Sequence, residues 1–101
     1  MTKNLHISAL LDVYGAFLNE KARSLTEYYY NDDLSLSEIA ENEGITRQGV
    51  RDQIKRAEAH LISLEEKCGY CEKFARLKDL SQDCKNNPEA LEKMLDIINN
   101  L

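Results

Sequence analysis

Apolar residues in this chain recur at intervals of three and four, the repeat of a helix with one face turned inward. Ile7, Leu10, Leu11, Tyr14, Phe17 and Leu18 keep that period and predict an amphipathic helix over residues 5 to 18. Asn19 closes it and can cap a second helix from Glu20 to Asn31, with Ala22, Leu25, Tyr28 and Tyr29 inward and Tyr30 left exposed. Asn31, Asp32 and Asp33 end that helix. Ser35 stands three residues before Glu38, the spacing of a capping box, so a third helix begins at Leu36 with Ile39 and Ala40 on its inner face. Gly44 supplies a left-handed end, Ile45 follows, and Thr46 can cap a fourth helix. In that helix Val50, Ile54, Ala57, Leu61 and Leu64 form one apolar stripe, which runs to about Glu66 before Cys68 and Gly69 break it. Two short helices meeting at a glycine corner between Leu36 and Ala57 make a helix-turn-helix signature.

The signal beyond Gly69 is weaker. Phe74, Leu77 and Leu80 predict a fifth helix over residues 70 to 83, Asn86 and Asn87 a loop, and Pro88 the first turn of a sixth helix. Leu91, Met94, Leu95, Ile98 and Leu101 share one face of the sixth helix, and such a stripe has to be covered. The preferred cover is a groove between the fifth helix and the first, with a two-fold dimer as the alternative. The expected organisation is all-α, with a helix-turn-helix domain over residues 1 to 66. A C-terminal helical tail over residues 67 to 101 docks on it or on a second chain.

Composition agrees with helix: 43% of 101 residues are hydrophobic, with one proline and four glycines. No apolar run approaches the roughly 20 residues of a membrane span. The N-terminus MTKNLH lacks the apolar core of a signal peptide, so a cytoplasmic protein is expected. Charge changes the picture more. Residues 46 to 57 carry +3 within a chain of net charge −5, which leaves −8 on the other 89 residues. Arg47, Arg51 and Lys55 follow one another at four-residue steps along one side of the fourth helix, with Arg56 close by. A positive helix on a negative body suits phosphate contact while limiting indiscriminate binding.

Thr46, Arg47, Gln48, Arg51, Lys55 and Arg56 are therefore the candidate nucleic-acid-binding residues. Arg47, Gln48 and Arg51 are placed to reach base edges, and Lys55 and Arg56 to touch phosphates. The bland alternative is a solvated face with an Asp52–Arg56 pair across one helical turn, worth about 0.3 to 0.5 kcal/mol. Tyr28, Tyr29 and Tyr30 cannot all share one face and read as packing residues rather than a base-stacking platform. Nothing resembles a catalytic site. There is no glycine-rich phosphate loop and no spaced Ser/His/Asp or Cys/His set, so no catalytic residue and no enzyme is expected.

The stretch YGAFLNEKARSLTEYYYNDDLSLSEIAENEGITRQGVRDQIKRAEAHL resembles the bacterial YlxM family, over roughly residues 7 to 66. The tyrosine-rich end of the second helix, the acidic pair, the Ser-Leu-Ser-Glu-Ile-Ala start and Arg47-Gln48-Gly49-Val50 carry the likeness together. The same stretch is similar to region 4 of sigma factors, whose helix-turn-helix enters the major groove of promoter DNA. The spacing Val50-x-x-x-Ile54-x-Arg56-Ala57 resembles the extracytoplasmic-function type. The YlxM likeness implies a small regulator encoded beside the signal recognition particle genes and acting in that pathway, with DNA or the particle's RNA as target. The alternative is that the helix-turn-helix serves as scaffold for binding protein, namely the particle's GTPase.

Two departures from the family matter. Gly49 replaces the usual alanine inside the fourth helix, at a cost of about 1 kcal/mol in helix propensity. The tail carries Cys68, Cys71 and Cys84, which with His60 would supply four zinc ligands if it folded back. The usual two close ligand couples are missing, however, so uncommitted reduced thiols and no metal or other cofactor are expected. His6 reads as a surface residue.

Overall fold

The structure is a computed structural model, described here for residues 3–83 and 85–101; Cys84 lies outside the described residues. Six α-helices follow in order: α1 His6–Tyr14, α2 Glu20–Tyr30, α3 Leu36–Glu43, α4 Arg47–Cys68, α5 Tyr70–Asp83 and α6 Pro88–Asn99. Every regular element among the described residues is helical. The chain divides into two compact units, Met1–Lys67 and Cys68–Leu101.

Local chemistry sets most helix ends in the first unit. Asn19 Oδ1 accepts the Ala22 N–H at 2.8 Å and starts α2. Ser35 Oγ accepts the Glu38 N–H while Glu38 Oε1 accepts the Ser35 N–H, both at 3.1 Å, completing the capping box of α3. Gly44 ends α3 at φ +68°, a left-handed conformation that glycine adopts without steric cost. Thr46 Oγ1 then accepts the Gly49 N–H at 2.9 Å at the start of α4.

Four helices contribute to the core of this unit. Leu25 and Tyr29 from α2, Leu36, Ile39 and Ala40 from α3, and Val50 and Ile54 from α4 form one buried cluster. Ile7, Leu10, Leu11 and Tyr14 of α1 are buried, as are Ala57 and Leu61 further along α4. The Thr26 hydroxyl, fully buried, donates to the Ala22 carbonyl at 2.7 Å, so burial leaves its proton satisfied.

The first helix departs from expectation. The α-helix stops at Tyr14, and Gly15–Phe17 form a single 3-10 turn instead of continuing to residue 18. A 3-10 turn takes about three residues per turn rather than 3.6, so side chains after it leave the α-helical register. Leu18 is buried and Phe17 is turned outward, 67% exposed.

Tyr30 departs as well. It is half-buried rather than exposed, its ring edge-on to Tyr29 with centroids 5.1 Å apart, and its hydroxyl donates to Glu58 of α4. Tyr14 of α1 donates to Glu65 at 2.6 Å. Glu58 and Glu65 are seven residues apart, two turns of one face of α4, so α1 and α2 are each tied to that helix by a phenol–carboxylate bond. Burial, followed by the bond to Glu58, holds the Tyr30 phenol well above its ordinary pKa. The folded state thus keeps this proton more tightly than the unfolded chain. The resulting stability is complete below the unfolded value of about 10 and is lost progressively at higher pH. Tyr30→Phe is expected to flatten that alkaline fall in stability, read as denaturation midpoint against pH. An unchanged pH profile would contradict this role for the pair.

In the second unit α5 and α6 pack against one another, with Asn87 Oδ1 accepting the Glu89 and Ala90 N–H groups and Pro88 in the first turn of α6. Gly69, between α4 and α5, is left-handed at φ +64°. Ala90 is buried and Met94 and Ile97 are half-buried, whereas Leu91, Leu95, Ile98 and Leu101 are 44 to 50% exposed. Tyr70 and Phe74 of α5 stack on each other, both exposed.

Candidate nucleic-acid interface

The candidate residues lie on the exposed N-terminal half of α4, directly after the glycine corner. In a helix-turn-helix this is the part of the second helix that meets base edges. Val50 and Ile54 are fully buried and fix which side of α4 faces the core. At about 100° of rotation per residue, Arg47, Arg51 and Lys55 then progress along one flank toward solvent, and Gln48 adjoins them. Arg51 is half-buried, and Arg47, Gln48 and Lys55 are exposed.

Arg56 is not part of this ridge. It lies about 140° round the axis from Arg51, on the opposite flank with Gln53 and His60. These three residues line a cleft of about 480 Å³ with Phe17, Leu18, Asn19, Ala22 and Ala57. Arg47 borders a separate recess beside the start of α3, with Lys3, Asp33, Ser35 and Glu38. The predicted set is therefore spread over two flanks, with Thr46 serving as the cap at the helix start.

The local electrostatics leave the cations uncommitted. Among the described residues Arg47, Arg51, Lys55 and Arg56 make no ion pair, whereas Lys3 is paired with Asp33 and Arg23 with Glu27. Among the described residues the alternative Asp52–Arg56 pair does not form; Asp52 Oδ1 accepts from the side-chain amide of Gln48 at 3.0 Å. That bond occupies one of Gln48's two amide hydrogens and leaves its carbonyl oxygen and second hydrogen available. Lys3 also sits 4.6 Å above the Tyr29 ring and holds the Asp33 carboxyl below its usual range. Residues preceding α1 are thereby joined to Asp33, the left-handed residue midway along the α2–α3 connection.

At Gly49 an added Cβ would lie 3.1 Å from Thr46 Oγ1, closer than ordinary contact. The missing side chain thus leaves room for the cap, against the loss in helix propensity. Among the described residues no group of three or more His, Cys, Asp or Glu is gathered to hold a metal ion, and Cys68 and Cys71 are half-buried. No helix among them is long and apolar enough to cross a membrane. Sequence reasoning missed the grouping of Phe17 with Gln53, Arg56 and His60. Projecting α4 at 100° per residue would have separated Arg56 from the ridge, but nothing local pointed to Phe17.

Capped α3, the glycine corner and the exposed start of α4 define a protein of the helix-turn-helix class. The whole chain, residues 1–101, matches the UPF0122 family, described as "Putative helix-turn-helix protein, YlxM / p13 like". It is 42% identical to a UPF0122 protein of Desulforamulus reducens over 106 aligned positions, covering 95% of this chain and 91% of the relative. A UPF0122 protein of Clostridium acetobutylicum is 41% identical over 86 positions, 85% of this chain and 74% of the relative. One from Bacillus cereus is 38% identical over 108 positions, 100% of this chain and 98% of the relative. The chain belongs to the UPF0122 family.

Proposed function

We propose that this chain is a non-enzymatic, cytoplasmic regulator that binds nucleic acid through α4. The observation that carries the reading is the row of cations Arg47, Arg51 and Lys55 on the exposed flank behind the helix-turn-helix corner, none paired with a carboxylate among the described residues. Cations free to meet phosphate supply sequence-blind affinity, and Gln48 and Arg51 at the helix start can add selectivity at base edges. The target is DNA in a major groove or the structured RNA of the signal recognition particle, and the pathway is the one implied by the likeness to YlxM.

A second reading is favoured by the apolar face of α6, where Leu91, Leu95, Ile98 and Leu101 remain about half exposed. In it the tail and the acidic remainder of the chain bind protein, either a second copy of this chain or the particle's basic GTPase, and the helix-turn-helix is a scaffold. One gel-shift experiment separates the two. The full chain is titrated onto the signal-recognition RNA, a random duplex DNA and the DNA upstream of its own gene, at two salt concentrations. Binding that weakens steeply with salt and favours one probe supports the first reading. Failure to shift any probe at low salt transfers the function to protein contacts.

A further inference from the structure

We infer that the cleft between the Gly15–Phe17 turn and α4 is a pocket for an unpaired nucleobase and its neighbouring phosphate, an inference that rests on the nucleic-acid reading above. A single exposed apolar side chain is ordinary on a protein surface and by itself implies nothing. Phe17 is set apart by its surroundings. It borders a cleft of about 480 Å³ into which α4 contributes Gln53, Arg56 and His60, and no Asp or Glu lines that cleft. Gln53, Arg56 and His60 have no hydrogen-bond or ion-pair partner among the described residues, and the nearby Asp52 is already engaged by Gln48. An acidic chain has thus kept carboxylates out of a cleft holding an aromatic face, a guanidinium, an imidazole and an amide.

Those four groups match the parts of a nucleotide. An aromatic ring gives a base a face to stack on. A guanidinium meets phosphate oxygens as a planar fork of donors, and the amide and imidazole can hydrogen-bond along a base edge. A paired base inside a duplex hides both its faces in the stack, so only a base in a bulge, loop or strand end can lie against Phe17. The cleft lies on the flank of α4 opposite the ridge, so an unpaired nucleotide there and a duplex on Arg47, Arg51 and Lys55 would use two sides of the same helix. A protein partner bringing an acidic aromatic segment is disfavoured, because it would not use the ridge on the same helix.

The test is fluorescence anisotropy of the full chain with four probes: a fully paired RNA duplex, the same duplex with one unpaired adenosine, and the two DNA counterparts. The unpaired-base probes should bind about 5- to 150-fold more tightly than the paired ones, the range that stacking of one base supplies. Comparison of the RNA and DNA arms shows which sugar the pocket accepts. Phe17→Ala should erase the preference and leave affinity for the paired probes unchanged. Its circular dichroism should match the parent, because the ring is mostly exposed. Arg56→Gln should reduce the preference in part. Equal affinity for paired and unpaired probes, with no effect of Phe17→Ala, overturns the pocket while leaving the α4 interface standing. Failure of all four probes to bind overturns both.

Discussion

Arg51→Glu combined with Lys55→Glu is expected to lower affinity for nucleic acid by about two to four orders of magnitude, with the circular dichroism spectrum unchanged. Removing one base-contacting arginine costs about 1 to 3 kcal/mol, and a reversed charge adds repulsion from the phosphates to the lost contact. The two reversals also take residues 46 to 57 from +3 to −1, so the face no longer opposes the negative charge of the rest of the chain. Folding should tolerate them, because neither side chain is paired with a carboxylate among the described residues and Lys55 is exposed. Lys55→Gln alone should weaken binding evenly across sequences and reduce the salt slope by about 0.9 if it marks one phosphate contact. Arg56→Glu supplies a control on the same helix. It lies on the other flank and should disturb a fully paired duplex less than either ridge reversal. Retained binding by the doubly reversed protein would remove α4 as the interface.

The parts of this molecule legible from sequence are those whose physics is local. The Ser35–Glu38 box, the left-handed Gly44 and the Thr46 cap are each completed within a few residues, so spacing alone placed α3, the corner and the start of α4. The α4 stripe was legible for a similar reason, since Val50, Ile54, Ala57 and Leu61 need only a helix and a core to be buried. Phe17 was not legible. The period continues through it, and only the 3-10 turn after Tyr14 decides that Leu18 goes in and Phe17 out. Tyr30 was misplaced because the group that stabilises its half-buried hydroxyl, Glu58, is 28 residues away. The cleft combined both difficulties, being assembled from the 3-10 turn and from the flank of α4 that carries Arg56, away from the row of Arg47, Arg51 and Lys55. In α6 the apolar face was legible, but a face does not name its cover.

Ile54→Ala is expected to be strongly destabilising, and it separates loss of fold from loss of binding surface. Ile54 is fully buried in the cluster joining α2, α3 and α4, with Leu25, Tyr29, Leu36, Ile39, Ala40 and Val50. Cutting a buried isoleucine to alanine costs about 2 to 5 kcal/mol, from the lost transfer energy and the cavity left behind. Small domains have only about 5 to 15 kcal/mol in total, so the substitution leaves the first unit marginal or unfolded. The damage should concentrate at the corner, because Ile54 and Val50 hold α4 against α3 and the glycine turn depends on that crossing. Ile54→Val keeps most of the volume and should cost only about 0.5 to 1.5 kcal/mol. Urea denaturation followed by circular dichroism measures this series, and each variant's binding should fall only in proportion to its unfolded fraction. The ridge reversals should show the converse, a native midpoint without binding. An Ile54→Ala protein with a near-native midpoint would mean that the packing of α2, α3 and α4 around this residue is not what holds the recognition helix in place.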